Sequence, residues 1–203
     1  MGEGRILRED RALELMELRA RLDAPRCLDD TLVPAKLGAI LERSPADVAV
    51  LTRAVDLRAG DGVFVPFGGG EHDWAALELA AWLSFAINAP LRLVGTKADP
   101  RRAQRDASRL LADASLAVQR VVGVETEPIL AEPTDEALVA AVEPATLAVV
   151  GISPRWRRAG IGAARRALVR AARPPTLLVR RGPRPGGLAP RESRTNFTWS
   201  IDV

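Results

Sequence analysis

The sequence predicts an α/β protein: a doubly wound, five-stranded, mostly parallel sheet preceded by a helical half-unit. Two observations predict it. From residue 62 to 181, short apolar runs alternate with longer amphipathic stretches in the order β-α-β-α-β-α-β-α-β. Such alternation places helices on both faces of a parallel sheet. The first run, Val63-Phe-Val-Pro-Phe67, is apolar without a break, as expected of a strand buried on both faces.

The elements follow in order. Residues 6–22 place Leu7, Ala12, Leu15, Leu18 and Leu22 near one face, an amphipathic helix that Asp23-Ala-Pro25 ends. A second helix starts after Pro34 and runs to Glu42, where Ser44-Pro45 stops it; Asp47-Val-Ala-Val-Leu-Thr52 is a short strand and 55–61 a connector. After Val63–Phe67 come Gly68, Gly69 and Gly70, then a helix over 72–88 that Ala89-Pro90 ends. Leu91-Arg-Leu-Val94 is a strand, 100–118 a helix and 121–131 a strand. Thr134-Asp-Glu-Ala opens a helix whose acidic first turn suits the positive end of the helix dipole. Ala145–Val150 is a strand, 156–172 an arginine-rich helix and Thr176–Arg180 the last core strand. The tail, 183–203, begins as a loop; its end, Asn196-Phe-Thr-Trp-Ser-Ile201, is apolar enough for an edge strand or a partner-chain contact. Leu37–Thr52 and Ile161–Arg180 are alike, each a helix, a proline and a short strand. The first 54 residues therefore read as the closing half of an earlier, shortened copy of the same unit. The expected division is 1–54, a sheet domain at 62–182 and a tail at 183–203.

Composition removes several classes of chemistry. The 203 residues are 47% hydrophobic and 27% charged, a globular balance. One cysteine, Cys27, excludes an intramolecular disulfide and a cysteine-cluster zinc site, and one histidine, His72, excludes two-histidine metal motifs. The net charge is only +3, from 29 basic and 26 acidic residues. Lys36 and Lys97 are the only lysines, and the arginines cluster only at 155–184, so a specific nucleic-acid surface is not expected. No apolar run reaches the roughly 18–20 residues of a membrane span, and the start does not read as a signal peptide.

Ligands of such sheets bind at the carboxyl ends of the strands. Gly68-Gly69-Gly70 falls there and leaves open backbone where an anion can sit on a helix N-terminus. The plainer reading is a tight turn that only glycine tolerates. It is not a Walker A loop, because no Gly-Lys-[Ser/Thr] follows. Arg155, Arg157 and Arg158 fall at the same end and offer guanidinium forks to a phosphate or to anionic lipid; the plainer reading is a solvated helix face. His72 lies in a first helical turn, where capping or packing is the ordinary role, and nothing is spaced to make a catalytic triad with it. Glu71 and Asp73 complement the helix dipole. Trp74 and Trp82 share a helix face and suit core or interface packing.

The segment Val63-Phe-Val-Pro-Phe-Gly-Gly-Gly-Glu-His-Asp-Trp-Ala-Ala-Leu77 resembles the opening of a universal stress protein domain, whose first strand ends V-P-x-D-G-S and whose helix begins near E-H-S. Ile161–Val179, ending Ala-Arg-Pro-Pro-Thr-Leu-Leu-Val, resembles that family's closing helix and strand. The resemblance covers 62–182 and implies an adenine nucleotide alpha hydrolase-like fold. The three glycines and the segment from Cys27 to Val50 are most similar to the soluble tails of bacterial cation/proton antiporters, which often carry two such units in tandem. Nucleotide-binding members hold ATP between the first strand's loop and a motif G-x-x-G-x9-G-[ST] after the fourth strand. Gly151 matches the first glycine of that motif. Pro154, with no N–H to donate, stands at the second. Gly162 matches the last but comes two residues early, Ala163 replaces the hydroxyl residue, and Gly68 replaces the family's acid.

The expected function is a non-catalytic regulatory or sensory domain, part of or derived from the cytosolic tail of a cation/proton antiporter. A small anion at the carboxyl end of the sheet would bias dimerisation or docking, and the last strand would pair with a partner. The alternative is a standalone, ATP-binding universal stress protein with weak hydrolysis at most; a third is an oligomerisation module without a ligand. The expected site residues are Pro66, Gly68, Gly69, Gly70, Gly151, Ser153, Arg155 and Gly162. No metal or catalytic group is expected, and the resemblance implies ATP or another nucleotide as the ligand. The expected partners are a second copy of the chain and a membrane transporter domain in the same chain or complex. The expected location is the cytoplasm, at the inner face of the membrane where a transporter tethers the chain.

Overall fold

The structure, a computed structural model, describes residues 35–58, 60–99, 105–171, 173–183 and 186–188. The helix expected over 6–22, Cys27 and the apolar end of the tail lie outside the described residues. The elements are α1 (Ala35–Arg43), β1 (Val48–Leu51), β2 (Val63–Pro66), α2 (Glu71–Ile87), β3 (Leu91–Thr96), α3 (Ser108–Val122), β4 (Thr126–Ala131), α4 (Asp135–Val142), β5 (Leu147–Ile152), α5 (Trp156–Ala159), α6 (Ala163–Arg170) and β6 (Thr176–Arg180). They form one six-stranded sheet in the order β1-β6-β5-β2-β3-β4. The pairs from β6 through β4 are parallel, and only β1 runs antiparallel, against β6.

Side chains alternate across a strand, so each strand feeds two layers. Val63, Val65, Leu91, Leu93, Leu147, Val149, Leu177 and Val179 face one layer, which Ala76, Leu77 and Ala80 of α2 and Leu111, Ala114 and Val118 of α3 cover. Phe64, Val94, Ala148, Val150 and Leu178 face the other, with Leu37 and Leu41 of α1, Val142 of α4 and Leu168 of α6. Burial on both faces is what the unbroken apolar run at β2 predicts. Thr134 opens α4 as expected: its hydroxyl accepts from the Ala137 amide at 3.1 Å.

Four elements differ from expectation, the first being the helix expected over 100–118, which begins only at Ser108 and runs to Val122. The sheet has six strands, because the short strand expected in the N-terminal segment joins the main sheet at the β6 edge. The helix expected over 156–172 is two pieces, broken at Gly160 and Gly162, whose φ angles are +66° and +84°. An L-residue is strained in that region, so the two glycines mark the break. The strand expected over 121–131 starts only at Thr126. Val121 and Val122 look like its opening but finish α3, which ends at Gly123 with a left-handed φ of +76°.

The β1–β6 junction is quasi-symmetric. Val48 pairs with Arg180, Ala49 with Val179, Val50 with Leu178 and Leu51 with Leu177. α1 and α6 pack in the same layer. Arg180 donates to the carbonyls of Glu42 (3.0 Å) and Ser44 (2.8 Å), on either side of the last residue of α1. Arg53, just beyond β1, donates to the carbonyls of Val169 (3.4 Å) and Ala171 (2.7 Å), on either side of the last residue of α6. Each arginine thus satisfies carbonyls at the negative end of the other unit's helix. The exchange joins two segments, Leu37–Thr52 and Ile161–Arg180, whose sequences are alike. It also changes one expectation: both neighbours of the last strand, β5 and β1, come from the same chain.

If α1 is an integral part of the core, Leu41→Ala lowers the unfolding free energy by about 2–4 kcal/mol, since Leu41 is 1% exposed. A urea titration checks it, and a change below about 0.5 kcal/mol, the size of a surface effect, would make α1 a dispensable appendage.

Candidate switch-point site

The strand order places the site. β2 leads to β3 on one side and β5 leads to β6 on the other, so the winding reverses between β2 and β5. Ligands of open α/β sheets bind at such a reversal. The two strands pair only at Val63–Leu147 and Phe64–Ala148, although β2 runs on to Pro66 and β5 to Ile152. Their carboxyl ends lack this pairing, and the first turn of α2 comes up against the β5 side. At Gly151 a Cβ would run into the carbonyl oxygen of His72. Gly151 is therefore required by a backbone-to-backbone approach.

The loop after β2 closes on itself. The amides of Gly68 and Gly70 donate to Asp73 Oδ2 at 3.2 and 3.1 Å. Gly70 is the residue before α2, so Asp73 is the third residue of the helix, and its carboxylate returns to the cap amide as in half of a capping box. Gly69 has a φ of +85°, and a Cβ there would press on Leu110 of α3. Asp73 is 4% exposed. Its other oxygen, Oδ1, accepts from Arg165 Nη2 at 3.2 Å. Arg165 reaches from the first turn of α6; its Nε donates to the Gly151 carbonyl at 2.6 Å and its Nη2 lies 2.8 Å from His72 Nε2. One guanidinium thus ties α6 to β5 and to α2. At the rim, Arg181 pairs with Glu71 at 3.1 Å.

The expected residues divide accordingly. Gly68, Gly70 and Gly151 come together through Asp73 and Arg165, with Pro66 at the end of β2 and Gly69 in the loop between them. Ser153 Oγ accepts from the Arg155 amide at 3.2 Å, a local turn, and the Arg155 side chain is exposed. Gly162 precedes α6 and accepts from the Arg166 amide at 3.0 Å, so it shapes the turn that delivers Arg165. His72, Asp73 and Arg165 make the centre, and none of them is among the site residues expected from the sequence. Asp73 had a legible signal, a carboxylate three residues past a helix cap. Arg165 had none, because a packed arginine and a solvated one look alike in an arginine-rich helix.

Burial of His72 is the largest influence on its titration and lowers its pKa from 6.5; Asp73 opposes that shift, Arg165 adds to it and Glu71 opposes it. Among the described residues no three His, Cys, Asp or Glu side chains group to hold a metal ion, and no helix is long and apolar enough to cross a membrane.

No family model matches the chain, and no curated protein matches it. Solved structures do. A universal stress protein from Archaeoglobus fulgidus DSM 4304 superposes with a TM-score of 0.55 at 19% identity, over 71% of this chain and 53% of that one. This chain thus spans about half the length of that protein. A second universal stress protein from Archaeoglobus fulgidus is 22% identical, with a TM-score of 0.49, over 58% of this chain and 97% of that one. The first likeness gives the class: the chain has the fold of the universal stress proteins.

Two outcomes follow from this geometry. Asp73→Ala orphans two amides and a partly buried guanidinium nitrogen, so it costs about 2–3 kcal/mol of stability in chemical unfolding. Because folding favours neutral His72, the unfolded chain binds more protons as pH falls below 6.5. His72 therefore makes no pH-dependent contribution above that value and destabilises the fold progressively below it, down to its native pKa. Comparing the pH dependence of the urea midpoint in wild type and His72→Gln isolates this share.

Proposed function

We propose that the chain is a non-catalytic regulatory or sensory domain, built on the universal stress protein fold and acting by docking. We read it as part of, or derived from, the cytosolic tail of a cation/proton antiporter, with the transporter domain and a second copy of the chain as partners. One observation carries the non-catalytic part: the amides that the open glycine loop would offer to a ligand's phosphate are held by Asp73 of the same chain. The other positions agree. Pro154 has no amide hydrogen, Ser153 Oγ is engaged by Arg155, and Gly151 lies under the first turn of α2. The residues present do not fit ATP held in the manner of the family's nucleotide-binding members. The antiporter context rests on the sequence resemblance of the glycine loop and of Cys27 to Val50. The quasi-symmetric β1–β6 junction agrees with the tandem arrangement of such tails.

The test is a thermal-shift series with ATP, ADP, AMP and cyclic nucleotides. A ligand at about 100 times its dissociation constant stabilises by about 2.7 kcal/mol, on the order of 5–10 °C for a chain of this size. The expected result is no shift with any of them. A shift of that size with ATP would replace this reading with that of a standalone ATP-binding stress protein.

A further inference from the structure

The protein's single histidine stands where two cations compete for one atom. His72 Nε2 lies 2.8 Å from Arg165 Nη2 and 3.5 Å from Asp73 Oδ1. A guanidinium can only donate, so in this arrangement Nε2 is the bare nitrogen and the ring is neutral, with its proton on Nδ1. A proton added at Nε2 turns that nitrogen into a donor. It can then no longer accept from Arg165, and it carries charge of the same sign. Its natural acceptor becomes Asp73 Oδ1, the oxygen to which Arg165 now donates.

We propose that His72, Asp73 and Arg165 form a proton-operated latch: neutral His72 holds Arg165 across the switch point, and protonation transfers Asp73 to His72 and releases Arg165. What is released is the start of α6. Gly160 and Gly162 give the turn before it two left-handed hinges, whereas Leu168 further along stays fully buried and anchors the rest of the helix.

The charged groups facing His72 are Asp73 and Glu71 from its own helix and Arg165 from α6; β5 contributes the Gly151 carbonyl, which is not charged. Glu71 is shared with Arg181. Burial and Arg165 disfavour the imidazolium, and Asp73 and Glu71 favour it, with burial the largest influence. The latch therefore opens on acidification, below 6.5. The His72 side chain keeps 20% of its surface, so a proton can reach it in the closed state. This inference goes beyond the docking reading and stands without it.

The experiment is a pH titration of the isotopically labelled full chain by NMR. The imidazole Cε1 signal reports His72 without ambiguity, since no other histidine exists. The Arg165 Nε–H signal, assigned by its loss in Arg165→Gln, reports the bond to the Gly151 carbonyl. The expected result is a His72 midpoint below 6.5, with loss of Arg165 Nε–H protection at the same midpoint. Arg165→Gln moves the His72 midpoint upward, and His72→Gln leaves Arg165 protected at every pH where the chain is folded. Arg165 Nε–H protection that persists through the His72 titration overturns the proposal, as does a midpoint at or above 6.5. Both contrary results are read on the wild-type chain, so a variant that folds poorly does not decide the outcome.

Discussion

The carboxylate of Asp73 holds the carboxyl end of the sheet together. A loop of three glycines has little conformational preference of its own, and two of its amides, those of Gly68 and Gly70, turn to the Asp73 carboxylate. Asp73 supplies both acceptors with one oxygen and engages Arg165 with the other. Everything nearby follows from that choice. The first turn of α2 is drawn back over its own loop, which sets the His72 carbonyl against the Gly151 backbone. Arg165, in turn, fastens the start of α6 to β5. The α2 helix dipole favours a negative group at its N-terminus, and here that group belongs to the chain.

This arrangement bears on what the fold does. In an open α/β sheet the reversal of winding is where a ligand meets free amides and helix dipoles. Here the same groups are committed to an internal carboxylate. An external anion would have to displace an acid that is already desolvated and triply hydrogen-bonded. A second commitment lies at the other edge of the domain, where β1 covers β6 and the two arginines exchange helix caps. Among the described residues the outer edges of the sheet are therefore β1 and β4. β4 carries Pro128 and the ion-paired Glu127, features that discourage further strand pairing. A docking partner meets a surface different from the one that the last strand alone would have offered.

The fold was largely legible because the alternation of elements is a pattern of solvent exposure, and that pattern is written locally. The run at Val63–Phe67 announces a doubly covered strand, and the alternating layers agree. What was not legible depended on contacts between distant residues. Val48–Leu51 reads as a strand, but nothing in its own residues says that it will lie antiparallel on Thr176–Arg180. The break in the helix at Gly160 and Gly162 had a local signal, two glycines in three residues, which the arginine-rich periodicity around them masked. At the site, the three glycines stand out in the sequence and their side-chain partners do not. The helix dipole accounts for a carboxylate at the position of Asp73 but not for its two amide partners. Arg165 lies 92 residues from Asp73, and only the crossover of the chain brings them together.

Asp73, rather than the phosphate of an added nucleotide, is expected to keep the amides of Gly68 and Gly70. The most direct measurement is a crystal structure of the chain grown with saturating ATP and magnesium, at a resolution that separates a carboxylate from a phosphate. The expected result is the Asp73 carboxylate within hydrogen-bond distance of both amides and Arg165 on the Gly151 carbonyl. A phosphate group on those amides, with Asp73 turned away, would contradict it.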